Sequence, residues 1–256
     1  MTISRYNNIV SLTAAVALAA CSQQPAASDN AAMIAVSSST VSPSLPGAAA
    51  LKSLPQGEQM ARAFQAAFGK PAPVSATVDG SEETTTPAKL VWHGDTAFLI
   101  TSSAVKDGCH ACSGSLGIYY LKADGARFAV TGKFPHAVEG QGFGAPPSGW
   151  SVSDRFGPSP VLYSEGGYTG QGYTCTSFDL TEFGADKPVK LVTVPIHYDN
   201  SDVGDGPAES IDGKIASIEP GKSFTVHYSG SSAFDETYLR SPTGFTLRGR
   251  TRMKTC

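Results

Sequence analysis

The stretch Gly117-Ile-Tyr-Tyr-Leu-Lys-Ala-Asp-Gly-Ala-Arg-Phe-Ala-Val-Thr131 decides the class of fold. Two apolar runs, Gly117–Leu121 and Arg127–Thr131, flank Ala123-Asp124-Gly125-Ala126. Asp-Gly between apolar runs signals a β-hairpin, because glycine accepts the positive φ that a tight turn of the right hand requires. Upstream, Lys89–Trp92 and Thr96–Thr101 flank His93-Gly94-Asp95 in the same way, and Val74–Val78 precedes them. Downstream, Lys214–Ile218 and Ser223–Tyr228 lie across Glu219-Pro220-Gly221-Lys222, followed by Glu236–Leu239 and Gly244–Arg250. Short strands separated by turn residues predict a mainly β chain of antiparallel meanders, either a sandwich or a propeller-like domain. With 27 Gly and 17 Pro against only 16% charged residues, the composition agrees.

One helix is expected, over Pro55–Phe68. Met60, Phe64 and Phe68 recur every four residues, Ala63 and Ala67 fill the same stripe, and Gly69 and Pro71 stop it. An internal repeat is also legible. Phe98-Leu-Ile-Thr leads through a cysteine loop to Gly117–Leu121, an Ala-Asp turn and Arg127–Thr131. Val161-Leu-Tyr-Ser leads through a second cysteine loop, at Cys175, to Thr176–Leu180, another Ala-Asp turn and Val189–Val194. Two copies of a three-stranded meander, blade-like in order, are the expectation.

The N-terminus carries a different signal. An apolar run from Ile9 to Ala20, too short to span a bilayer, ends in Leu18-Ala19-Ala20-Cys21. This resembles the lipobox of bacterial lipoproteins, and the whole pattern is similar to envelope lipoproteins with a single β-rich domain. The resemblance implies a signal peptide over residues 1–20 and a lipid on Cys21. With Ser22 rather than Asp next, it also implies an outer-membrane location facing periplasm or cell surface. Residues 21–54, rich in Ala, Ser and Pro, are expected to be a disordered tether. Residues 55–256 are expected to form one β-rich domain.

Removal of Arg5 with the leader takes the 19 basic residues to 18, against 22 acidic, a formal charge of −4. No basic stripe exists to bind nucleic acid. Arg248, Arg250 and Arg252 alternate near the end, as a solvated strand edge would. Beyond Cys21, four cysteines remain, an even number that reads as two disulfides in an oxidising compartment. Three pairings are open. The preferred one staples Cys109 to Cys112 locally and clasps Cys175 to Cys256.

Glycine–aromatic segments mark the preferred binding site. Gly140-Gln-Gly-Phe-Gly144 and Gly170-Gln-Gly-Tyr173 are near copies, and the candidate ligand residues are Trp150, Tyr163, Glu165, Tyr168, Gln171 and Tyr173. Glycines let a ligand approach the backbone, and aromatic rings offer flat apolar area with a polar handle. The expectation is a non-catalytic binding or scaffold module for an envelope glycan, such as peptidoglycan, or an envelope protein. No cofactor, metal or catalytic residue is assigned. Two alternatives stay open: a hydrolase using Glu165, with Asp154 or Glu139 as second carboxylate and His136, His197 or His227 as base, and a thiol-redox factor using Cys109 and Cys112. A zinc site from Cys109, His110, Cys112 and Cys175 is disfavoured by the compartment. The acidic run Asp199–Gly206 is out of register for a calcium loop.

Overall fold

The computed structural model describes residues 47–109, 112–140, 142–204 and 206–256. Cys21, the expected leader and most of the expected tether lie outside them, as do His110, Gln141 and Asp205. Helices α1 (Gly47–Lys52) and α2 (Gln56–Phe68) precede thirteen strands. Five of these, β1 (Val74–Val78), β2 (Ser81–His93), β3 (Thr96–Val105), β4 (Ser115–Asp124) and β5 (Arg127–Glu139), form one antiparallel sheet in sequence order. The other eight are β6 (Trp150–Ser153), β7 (Val161–Gly170), β8 (Tyr173–Phe183), β9 (Pro188–Asp199), β10 (Ser210–Glu219), β11 (Ser223–Gly230), β12 (Phe234–Ser241) and β13 (Gly244–Leu247). They form a second antiparallel sheet, also in sequence order. The protein is thus mainly β and sandwich-like, and the propeller-like alternative is set aside.

Tight turns set the registers. Gly125 (φ 60°) and Gly94 (φ 55°) each occupy the first position of a two-residue turn, closing β4–β5 and β2–β3. Asp79-Gly80 and Gln171-Gly172 have positive φ at both positions, the geometry that matches strand twist, and close β1–β2 and β7–β8.

Side-chain alternation gives β3 and β4 two buried faces. Leu99, Tyr119 and Leu121 pack under Phe64, Ala63 and Ala67 of α2. Phe98, Ile100, Leu116, Ile118 and Tyr120 face the other way and meet Leu162 of β7 and Phe183 of β8, joining the sheets. The opposite face of the larger sheet closes on itself around Phe178, Leu180, Phe224, Val226, Tyr228 and Tyr238. There β13 lies back against β9, with Gly244 so close that an added Cβ would sit 3.0 Å from Leu191 Cα. Each large apolar side chain so buried contributes about 1.5–3 kcal/mol.

Helix α2 ends as its sequence predicts, at Gly69 in the left-handed region (φ 71°), whose N–H reaches Gln65 O at 2.8 Å. Gln59 pins it: Nε2 donates to Leu54 O (2.7 Å) and Oε1 accepts Trp92 Nε1–H (2.8 Å). Residues 47–54 depart from expectation. Instead of ending a tether, they form α1 and a turn, with Leu51 fully buried in the cluster under α2. The two repeat blocks are both three-stranded meanders, β3–β4–β5 and β7–β8–β9. Cys109 and Cys112 lie in a loop, but Cys175 lies within β8. The arginine run is not a strand edge, because β13 stops at Leu247 and Gly249 turns the chain (φ 103°).

Candidate functional site

The β7–β8 hairpin and the C-terminal residues enclose an open groove of about 620 Å³. Gly166, Tyr168 and Gly170 line it from β7, and Tyr173, Cys175 and Ser177 from β8. Lys254, Thr255 and Cys256 form the third wall, fixed through the Cys175–Cys256 disulfide. Tyr168 is 53% exposed. An added Cβ on Gly166 would meet nothing, and the Tyr168 ring folds over the backbone at Gly170, where a side chain would clash with its hydroxyl. The glycines therefore expose the tyrosine face and leave bare floor beside it.

The tail wall is strapped down independently of its disulfide. Glu236 is 4% exposed, and one carboxylate oxygen accepts Thr251 Oγ–H (2.9 Å) and Arg252 N–H (2.7 Å). The other accepts Tyr238 O–H at 3.1 Å, while Tyr228 O–H, 3.5 Å from it, donates to Pro195 O at 2.9 Å. Burial first, then the Glu236 charge, pushes the Tyr228 phenol far up; in Tyr238 burial again leads, followed by Tyr228 and Glu236. Met253 is buried, the Arg252 guanidinium lies 4.5 Å over Phe234, and Lys254 bonds Glu209 while sitting over Tyr198. The Glu209 hydrogen bond holds the Lys254 ammonium above its ordinary pKa.

The six expected ligand residues divide into two groups. Tyr168, Gln171 and Tyr173 line the groove; Trp150, Tyr163 and Glu165 do not. Strand alternation sends Tyr163 and Glu165 to the face opposite Tyr168. Tyr163 turns to the core face, its ring 4.9 Å from Phe178, and donates its hydroxyl to Glu165 Oε1 at 2.6 Å. Burial and that hydrogen bond push its phenol well above the usual range. Glu165 lies against Gly149, where a Cβ would sit 2.9 Å from Oε2. Trp150, on the short strand β6, packs against the cluster between the sheets.

The expected carboxylate partner Asp154 is not brought to Glu165. Asp154 follows Ser153, which pairs with Val161, four residues along β7. At about 3.3 Å per residue that is ~13 Å, beyond the ~5–9.5 Å between carboxylates of glycosidases. His197 and His227 pair with Asp212 and Asp235 at 2.8 and 2.7 Å, away from Glu165 in the strand order.

His136 belongs to a cluster that local spacing could not reveal. Its Nδ1 lies 3.0 Å from Ser115 Oγ and its Nε2 4.0 Å from Glu83 Oε2. A Ser–His–Glu grouping invites a nucleophilic reading. Ser115, however, is only 3% exposed, in line with Ser103 and Thr85, whose hydroxyls bond each other at 2.8 Å. The row is a buried polar ladder that orients His136, with its hydroxyl closed to substrate.

Cys109 and Cys112 are disulfide-bonded, and their loop interleaves with Gly140–Ala145. Phe143 N–H donates to Cys109 O (3.1 Å), Gly144 N–H to Cys112 O (2.8 Å) and Gly114 N–H to Ala145 O (3.1 Å). Gly108 and Gly114 are required, since a Cβ on either would lie 2.5–2.7 Å from backbone of this segment or β3. Gly140–Gly144 thus buttresses the disulfide loop and leaves Phe143 68% exposed, remote in role from its near copy at Gly170–Tyr173. With Cys175 bonded to Cys256, the four sulfurs are committed in pairs, not gathered as a zinc set. The Asp199 carboxylate is occupied by Ser201 N–H (2.8 Å) and Oγ–H (2.6 Å), which lower its pKa and cap the acidic loop from within.

The groove wall formed by Lys254 and Thr255 went unassigned in the sequence reading. The clasp to Cys175 was its signal, because it delivers the tail to the strand that carries Tyr173. Comparison with protein-family models, curated proteins and solved structures returns no match.

Proposed function

We propose that this chain is a lipid-anchored protein of the bacterial outer membrane whose β domain is a non-catalytic binding module. The groove beside Tyr168 is its ligand site, and an envelope glycan such as peptidoglycan is the ligand. One observation carries the reading: a tyrosine ring 53% exposed beside side-chain-free floor at Gly166 and Gly167. A sugar ring stacks on such a face, and Gln171, Thr176 and Ser177 supply hydrogen-bonding groups for its hydroxyls. Support for the anchor comes from Leu18-Ala19-Ala20-Cys21.

Titration of the full chain with soluble peptidoglycan fragments, followed calorimetrically, tests the groove. Tyr168→Ala should weaken binding about tenfold or more while leaving stability within about 0.5 kcal/mol, as for an exposed position. A parent protein that ignores the fragments, or a variant that binds them equally, defeats the glycan reading. Cys21→Ala should move the protein from the membrane fraction to the soluble one; unchanged membrane association defeats the anchor.

A further inference from the structure

Strand β7 outruns its neighbour. On its outer side β6 pairs only from Val161↔Ser153 to Ser164↔Trp150, and the last bond runs from Glu165 N–H to Gly149 O at 2.8 Å. Beyond that bond the chain leaves through Pro146-Pro147, which cannot donate to a ladder. On its inner side β7 stays paired with β8 without a register shift to Gly170↔Tyr173. Because Glu165 N–H points outward, alternation points the N–H and C=O groups of Gly167 and Thr169 outward too. Gly167, Tyr168 and Thr169 are all exposed, and among the described residues no strand pairs with this edge.

The other outer strands carry the devices that discourage added strands. Strand β5 has Lys133, Pro135 and His136 and two register shifts against β4. Strand β1 is five residues long and follows Pro71 and Pro73, and β13 is four residues long and runs into Arg248 and Arg250. Gly166-Gly-Tyr-Thr-Gly170 has no charge, no proline and no bulge.

We propose that the outer side of Gly166–Gly170 is a strand-addition site. It takes an extended, basic peptide segment of a partner protein in the lane that β6 vacates at Gly149. The occupant must be a backbone, since the outward groups of Gly167 and Thr169 ask for alternating donors and acceptors at strand spacing. Continuity argues for the position: the peptide extends an existing β6–β7 pairing antiparallel to β7. Charge argues for the sequence. Glu165, whose carboxylate lies against Gly149, stands at the end of the edge where the lane opens. A second copy is the weaker occupant, because an edge of five residues falls well short of the ~1,200 Å² of a stable interface. The edge shares Gly166, Gly167 and Gly170 with the groove lining, but it uses backbone groups that Tyr168→Ala leaves intact.

The test uses the full chain and an end-blocked heptapeptide of alternating valine and threonine with lysine at both ends, beside a counterpart with glutamate at both ends. Binding is followed by fluorescence anisotropy, and amide exchange is followed by NMR. The lysine peptide should slow exchange at Gly167 and Thr169 and bind better than the glutamate peptide. Thr169→Pro should weaken it about tenfold, as expected for loss of an edge hydrogen bond and ring crowding, while sparing the β8 side. Tyr168→Ala should retain peptide binding. Thr169→Lys, the gentler block, should also weaken binding if the proline variant is unstable. Unprotected edge amides, equal binding of both peptides, or full affinity in both Thr169 variants would overturn the proposal. So would protection of the edge by self-association without peptide.

Discussion

Replacing Cys175 by Ala and Cys256 by Ser together removes the clasp that ties the tail to β8. The bond spans 81 residues of sequence. In the chain-entropy expression, −2.1 − 1.5R ln n with n of 81 gives a loss of about 4.5 kcal/mol at 25 °C, felt mainly as greater freedom of the unfolded chain. For a domain of this size, ~2–4 °C per kcal/mol converts that to a fall in Tm of about 9–18 °C. Folded contacts at the tail should largely survive, because Glu236 still holds Thr251 and Arg252, and Met253 stays buried. Equilibrium urea unfolding is the assay, with midpoint and slope both read, and the slope should rise as the unfolded state expands. The same expression for the separation of 3 between Cys109 and Cys112 gives only about 1.6 kcal/mol, so removing that bond should cost roughly a third as much. A loss below about 1.5 kcal/mol on removing the clasp, or a local bond worth more than the long one, would refute the reasoning.

Two further outcomes are expected. Tyr119 is pushed up to about 12, first by burial and then by the Glu83 charge, and Tyr120, Tyr163, Tyr228 and Tyr238 are raised by burial as well. The fold holds these protons more tightly than the unfolded chain, whose phenols lose them near 10. This stability is therefore complete below about pH 10 and drains away as pH rises through 10 towards 12 and beyond. Urea midpoints against pH and phenolate absorbance read it, and titration of all these phenols near pH 10 in the folded protein would count against their burial. Separately, Leu51→Ala should cost about 2–5 kcal/mol in urea unfolding, the range for a buried leucine; no loss would mean that α1 lies outside the core.

Legibility in the sequence followed the reach of each signal. Met60, Phe64 and Phe68 announce α2, and Asp124-Gly125 announces its hairpin, because both patterns are complete within a few residues. Helix α1 escaped because Gly47-Ala-Ala-Ala-Leu-Lys52 looks like tether, and its one anchor, Leu51, acquires meaning only under α2. The first half of β2, Ser81-Glu-Glu-Thr-Thr-Thr86, shows no apolar alternation, since its buried positions are Glu83 and Thr85. Tyr163 and Glu165 seemed companions of Tyr168 by proximity in sequence, yet an odd offset along a strand sends them to the opposite face. The Ser115–His136–Glu83 grouping depends on three strands meeting, and nothing local encodes it.

The strictly sequential order of both sheets bears on how the molecule is assembled. Each strand finds its partner in the segment just before it, so a chain presented N-terminus first can settle hairpin by hairpin, with only short loops to close at each step. The Cys175–Cys256 bond must wait, because its partners stand 81 residues apart. In that interval Cys175 is an idle thiol, and among the described residues the cysteines available to capture it wrongly are Cys109 and Cys112. Their own bond spans three residues and can form as soon as both are out. Early closure of the small ring removes both competitors before the late bond is attempted, so the order of oxidation is written into the spacing of the cysteines along the chain.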